Sequence, residues 1–427
     1  MEMKKYKLGE LMDVTRGQSL SGEYYSKSGN LVRLTLGNFD YHNNCFKDDK
    51  SKDNLYFTGS VKKEFILKKD DIITPLTEQA IGLLGSTAKI PCSGKYIQSQ
   101  DVALIKCNKK LNPDFAFYLI PSKIVRNQLS AAAQQTKIRH TSPDKIKDCS
   151  VWVPEYSEQE KIGKLLSRID NKIAINRQIN RNLEELAKQI YDYWFVQFDF
   201  PNEEGMPYKS SGGKMVWNET LKREIPDGWE VKNLGEVCNF RNGINYDKKV
   251  IGNKTYKIVN VRNISASSLF LNQNEFDIIS LKSNQADNYL VSENSILIAR
   301  SGCPGATRII MNVDTNVIFC GFIICMENFH SDYKLYFAYC LKALENTSAT
   351  TTGGSILQNV SQDTLKRISV IIPPNDIITA YNEKTLAIFK SQLSIQKEIE
   401  ELSKLRDNLL PLLMNGQVTL NSCLSHD

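Results

Sequence analysis

Histidine is scarce: four in 427 residues (His42, His140, His330 and His426), far apart. No serine lies in a G-x-S-x-G turn, so no hydrolase triad is indicated. No G-x-x-x-x-G-K-[ST] loop is present; Gly82 to Thr87 lacks both the lysine and the spacing. Nor does a G-x-G-x-x-G turn open a helix after a strand. Pro373-Pro374 follows Ile372 rather than Asn or Asp, which excludes an amino-methyltransferase loop there. The ten cysteines lack the close pairing of a zinc site, and even Cys320 and Cys325 have no histidine at ligand spacing. They read as reduced thiols, which predicts a cytoplasmic protein without a metal. The longest apolar run, Val317 to Met326, is too short to span a bilayer, and the opening MEMKKYKLGELMD has no apolar core of the signal-peptide kind. The net charge of +6 permits nucleic-acid binding without requiring it. Catalytic residues and a resident cofactor are therefore not expected in this chain.

What the chain does have is helix at great length. Ser157 to Phe198 runs without a proline, and Ser157 with Glu160 has the form of a capping box. Ile162, Leu166, Ile169, Ile173, Asn176, Asn180, Leu183, Ala187, Ile190 and Trp194 step by three and four, a heptad seam with two asparagines in it. Those asparagines are expected to fix register or orientation rather than to bind a ligand. Roughly 40 residues at about 1.5 Å each make a rod on the order of 60 Å, which needs a partner of matching length to cover its seam. Asn375 to Leu413 supplies one, with Ile388, Ile395, Ile399, Leu402, Leu405, Leu409 and Leu413 as the expected stripe.

The two helices occupy equivalent places in an internal repeat. Ser142, Asp144, Pro154, Leu183 and Leu186 recur at one constant interval as Ser361, Asp363, Pro373, Leu402 and Leu405. Lys7 to Leu11 (KLGEL) recurs as Asn233 to Val237 (NLGEV), and Gly17 as Gly243, at a slightly longer interval, so a few residues are lost from loops in between. The chain divides into a globular region at 1–154, a helix at 155–198, a Pro/Gly/Ser-rich connector at 199–228, a second globular region at 229–374, a second helix at 375–416 and a tail at 417–427. Short apolar runs between turn signals make the globular parts mostly strand, with helix near Pro113 to Ser130 and Asp144 to Lys147. The expected class is α+β: two similar mixed α/β domains and two long helices packed as an antiparallel coiled coil about a pseudo-two-fold axis.

Between the matched ends the side chains differ, and the differing loops are rich in donors. The pairs are Arg16 and Gln18 against Arg241, Asn242 and Asn245; Gln79 against Arg300 and Ser301; and Gln135, Lys137 and Arg139 against Thr352 and Ser355. Arginine and lysine suit guanine, and asparagine and glutamine suit adenine, in the major groove, while hydroxyls and lysines hold phosphates. Ordinary polar surface loops are the competing reading of any one of these residues; the paired set points to DNA. Helix-pair packing is expected from Ile162, Leu166, Ile169, Ile173, Leu183, Ile190, Ile388, Ile395, Leu402 and Leu409.

The order of domain, long helix, domain, long helix resembles the specificity subunit of Type I restriction-modification systems, over the whole chain. The phrases that carry the resemblance are Ser142 to Glu160, Ser361 to Asp376, Leu183 to Pro201, Ile225 to Trp229 followed by Leu234 to Glu236, and Leu402 to Gly416. The resemblance implies a subunit that neither cuts nor methylates. Each globular part would be a target recognition domain reading one half of a split, asymmetric double-stranded DNA site. The helices would set the unread spacer and dock two modification subunits that carry the adenine methyltransferase. Restriction subunits, with ATP-driven translocase and nuclease activity, would join that core. S-adenosylmethionine, ATP and Mg2+ would then belong to those partners. A coiled-coil scaffold that never touches DNA, or a silent or exchangeable specificity copy, is the alternative. A stand-alone enzyme is disfavoured, because domains and helices fill the chain.

Overall fold

The computed structural model describes residues 2–41, 43–49, 52–78, 82–132, 139–246, 252–266, 268–345 and 360–420. The chain forms two compact units, 1–177 with 397–427, and 178–396.

In the first unit the strand Met3–Lys7 pairs antiparallel with Ser150–Pro154, from Met3 opposite Pro154 to Lys7 opposite Ser150. The two ends of the globular region are thus tied together. Between them lies a four-stranded antiparallel sheet in the order Ala88–Lys89, Ile72–Pro75, Val102–Cys107, Met12–Arg16. A second sheet pairs Tyr96–Ile97 in parallel with Val32–Arg33. Burial explains the strands with near-continuous apolar runs: Ile72–Pro75 and the first four residues of Val102–Cys107 are covered on both faces. Helix Pro113–Leu119 begins where the Asn112 side chain accepts from the amides of Asp114 and Phe115, with proline at the first helical position. The core around Leu8, Leu11, Val14, Ile105 and Phe115 also takes in Ile162, Leu166, Leu413 and Met414 from the two long helices.

The second unit builds the same frame. Glu230–Asn233 pairs with Ser369–Ile372. Its four-stranded sheet runs Asn239–Asn242, Ile323–Glu327, Ile296–Ala299, Thr307–Ile309. Lys254–Val259 lies parallel to Val317–Phe319 and antiparallel to Asp277–Leu281. The repeat extends to single hydrogen bonds. Leu8 N donates to Cys149 O as Leu234 N does to Ile368 O, at 2.9 Å in both. Ser142 caps its helix through Lys145 N, and Ser361 caps the equivalent helix through Thr364 N. The connector is more than a loop: it holds the hairpin Met215–Asn218 with Arg223–Pro226, and buries Phe200 and Ile225 in the core of this unit.

The long helices are Tyr156–Tyr191, continued by a π-helical turn over Asp192–Val196, and Asn375–Met414. The first begins before Ser157, with the Glu155 carbonyl accepting from the amides of Glu158 and Gln159. The expected capping box is therefore replaced, and Glu160 pairs with Lys164 instead. Within each unit the helices run in opposite directions. In the first, Asp170 meets Arg406 at 3.0 Å and Asn176 meets Glu398 at 2.8 Å. In the second, Asn180 meets Gln392, and Trp194 lies beside Tyr381 with ring centres 5.9 Å apart. Ile162, Leu166, Ile169 and Ile173 are buried, while Leu183 and Ile190 are half-buried. On the second helix Ile388, Ile395, Leu402 and Leu409 are only half-buried and Leu405 is exposed. The most deeply buried column there is Ile378, Thr385, Gln392, Ile399 and Leu413, with Arg406 in the same heptad register. Three of those six are polar, so the expected stripe takes only Ile399 and Leu413 from this column and lies mostly on the neighbouring one. Among the described residues no helix is long and apolar enough to cross a membrane.

Candidate nucleic-acid interface

In each domain three or four stretches distant in sequence converge, and backbone hydrogen bonds fasten them. In the first, Gly17 N donates to Val102 O, Gln18 N to Gln98 O, Leu76 N to Asp101 O and Thr141 N to Leu76 O. In the second, Gly243 N donates to Ile323 O, Ile244 N to Phe319 O, Arg300 N to Phe322 O and Val360 N to Arg300 O. The glycine is required by contact: a Cβ on Gly17 would lie 2.2 Å from Ser99 O, and one on Gly243 would lie 2.1 Å from Cys320 O. The bonds match one for one and the side chains do not. Leu76 stands where Arg300 does, Asp101 where Phe322 does, and Gln18 where Ile244 does.

The sequence candidates fall into three groups. Arg16 is exposed and donates from Nε to Gln100 O at 2.7 Å, which lays it along the turn at Ser99–Asp101. Gln18 bridges Ser60 O and Lys62 N at 3.4 Å each. Arg139 belongs to a two-residue strand whose partner is Thr77–Glu78, and His140 Nδ1 there lies 3.2 Å from Thr77 Oγ1. Asn242 and Asn245 are exposed, and Arg300 and Ser301 are half-buried just past the end of the inner strand Ile296–Ala299. Arg241 is different. Its guanidinium bonds Glu327 at 2.8 Å and Asn288 O at 2.6 Å, and stacks over Phe319 at 4.9 Å. That arginine pins its own domain together. Gln79, Gln135, Lys137, Thr352 and Ser355 lie outside the described residues. Sequence reading missed the turns Ser99–Asp101 and Gly321–Phe322, to which the other stretches are bonded. The second turn was hidden inside the apolar run Val317 to Met326.

Two copies of one backbone frame carry dissimilar side chains at equivalent places, so the chain is an internal repeat. The comparisons agree. A family profile described as the Type I restriction modification DNA specificity domain matches residues 1–185 and again 226–406. The chain therefore belongs to the Type I restriction-modification specificity family and carries the domain twice. It is 26% identical over 309 residues to the Type I restriction enzyme MjaIX specificity subunit of Methanocaldococcus jannaschii, covering 71% of this chain and 69% of that one. It is 23% identical over 482 aligned residues to the HindI specificity subunit of Haemophilus influenzae, covering 98% of this chain and all (100%) of that one. The crystal structure of a Type I restriction-modification S subunit from M. genitalium has the same fold, with a TM-score of 0.56 at 17% identity over 97% of this chain and 96% of that one.

Proposed function

We propose that this chain is the DNA-reading subunit of a Type I restriction-modification complex, in which each domain reads one half of a split, asymmetric site. The observation that carries this is the hub: identical backbone bonds hold Gln18, Leu76 and Asp101 in one domain and Ile244, Arg300 and Phe322 in the other. A common frame with different side chains at the reading edge suits two unlike half-sites, because base edges are distinguished by the donors, acceptors and apolar groups set against them. The long helices act as an antiparallel coiled coil that sets the unread spacer, since half-site separation follows protein geometry. They also dock the modification subunits. Leu186 and Leu386 are exposed on the two helices, and a cavity of about 880 Å³ lined by Leu186, Ile190, Tyr193, Trp194 and Lys384 offers apolar surface to a protein partner. The chain supplies no catalytic group; S-adenosylmethionine, ATP and Mg2+ act on the modification and restriction subunits.

Co-expression with the modification subunit in a methylation-free host, followed by single-molecule mapping of modified adenines, tests this. The expected result is one split motif with a fixed spacer that disappears when this chain is omitted. A stable complex that adds no sequence-specific methylation would overturn the reading and favour a scaffold.

A further inference from the structure

Phe322 is the only exposed phenylalanine among the described residues, at 61% exposure. Its neighbours Cys320 and Ile323 are buried, and its backbone is held firmly. Gly321 N donates to Ile244 O at 2.7 Å, Ile323 N to Cys320 O at 2.9 Å, and Arg300 N to Phe322 O at 2.8 Å. A mobile loop could fold an aromatic ring away from water; this turn cannot, and it keeps most of the ring in solvent although burial would favour the fold. The ring stands at the node where the candidate stretches meet. Asn245 packs its amide over the adjacent turn, so that a Cβ on Gly321 would lie 2.0 Å from Asn245 Oδ1. Arg300 is bonded to Phe322 directly. In the first domain the same node holds Asp101, whose carbonyl accepts from Leu76 N and whose carboxylate lies 3.5 Å from Thr77 Oγ1.

We infer that Phe322 is a specificity-determining residue of the second domain, packing on the C5 methyl group of a thymine in the major groove. This rests on the DNA-reading function proposed above. The methyl is the one apolar feature that a base pair shows in that groove, and aromatic or small apolar side chains are its natural partners. Asn245 and Arg300 belong to the same hub, and their amide and guanidinium types suit a neighbouring adenine or guanine. The first domain, with a carboxylate at the node, has no such contact and reads its half-site differently.

The test uses the full chain assembled with its modification subunits and a duplex bearing the mapped motif. Each thymine of the half-site that follows the second domain is replaced in turn by 2′-deoxyuridine, which removes only the methyl. One replacement should weaken binding by the wild type about fourfold, the ~0.8 kcal/mol of one buried methyl group. The Phe322→Ala complex should bind both duplexes equally, and Phe322→Leu should keep part of the difference. Thymines in the other half-site should be indifferent to either variant. A second half-site without a T·A pair would overturn the inference. So would a wild type indifferent to every replacement, or a methyl effect that survives in Phe322→Ala; each of these leaves the DNA-reading function standing. A complex with no site-specific binding would overturn both.

Discussion

Asp170 is gripped from two sides in the first unit: the Tyr118 hydroxyl donates to it at 2.6 Å and Arg406 Nη1 at 3.0 Å. Burial pushes the Tyr118 phenol up, and the Asp170 charge adds to this, so the phenol stays a donor. Burial works against the Arg406 charge, but Asp170 and Asp407 more than offset it. Removing the carboxylate leaves a guanidinium whose side chain is 13% exposed without its main counter-charge. Asp170→Ala should therefore cost about 2–3 kcal/mol in a denaturant titration, while Asp170→Leu with Arg406→Met should cost clearly less. Equal losses in the two proteins would show that the charge pair is not what matters. Lys334 behaves in the opposite way. Its ammonium donates to Ile310 O at 2.8 Å, and burial, only partly countered by Glu293, lowers its pKa from 10.5 to about 8. Below about pH 8 the folded protein carries a buried charge that the unfolded chain holds in water. Between about 8 and 10.5 the folded state has released that proton and the unfolded state has not, so stability rises with pH across that window. Relative to Lys334→Met, the wild type should gain on the order of 2–3 kcal/mol between pH 7.5 and 10.5. A flat difference would refute the shift.

At the scale of elements, the first helix was legible because its buried column is apolar or asparagine throughout, with Ile162, Ile169 and Asn176 all buried. The second was legible in extent and only partly in facing, with Ile399 and Leu413 of the expected stripe buried. Gln392 is 7% exposed and reaches Asn180 O at 3.4 Å, and no apolar pattern announces a buried glutamine. Strands with apolar runs, such as Ile72–Pro75 and Val102–Cys107, could be read, whereas polar ones such as Met3–Lys7 and Glu230–Asn233 could not. Nor could strand pairing, since it joins segments as distant as Met12–Arg16 and Val102–Cys107. The site was half legible for a related reason. Donor-rich loops such as Arg16 to Gln18 stand out in a sequence, whereas the turns that organise them, Ser99–Asp101 and Gly321–Phe322, are defined by backbone bonds that composition does not encode. Arg241 shows the converse, a donor-rich residue spent on its own scaffold. The helices give a length prediction. Adding seven residues to each keeps the heptad register and adds about 10.5 Å. The methylated motif should then acquire a spacer longer by about three base pairs, with both half-sites unchanged. An unchanged spacer would remove the helices from the role of ruler.

At the scale of the whole molecule, the strand Met3–Lys7 closes on Ser150–Pro154, and Glu230–Asn233 closes on Ser369–Ile372. Each globular region therefore begins and ends at one two-stranded seam. Exchanging residues 1–154 for the matching region of another family member should change one half of the methylated motif and leave the other intact. A change in both halves would show that the domains do not read independently.

The hub has an evolutionary consequence. Its bonds run between main-chain amides and carbonyls, as in Leu76 N to Asp101 O and Arg300 N to Phe322 O. Main-chain bonds survive most replacements of the side chains they carry. Mutation at the proposed reading edge should thus be largely uncoupled from folding, so that target sequences could change by substitution without passing through unfolded intermediates.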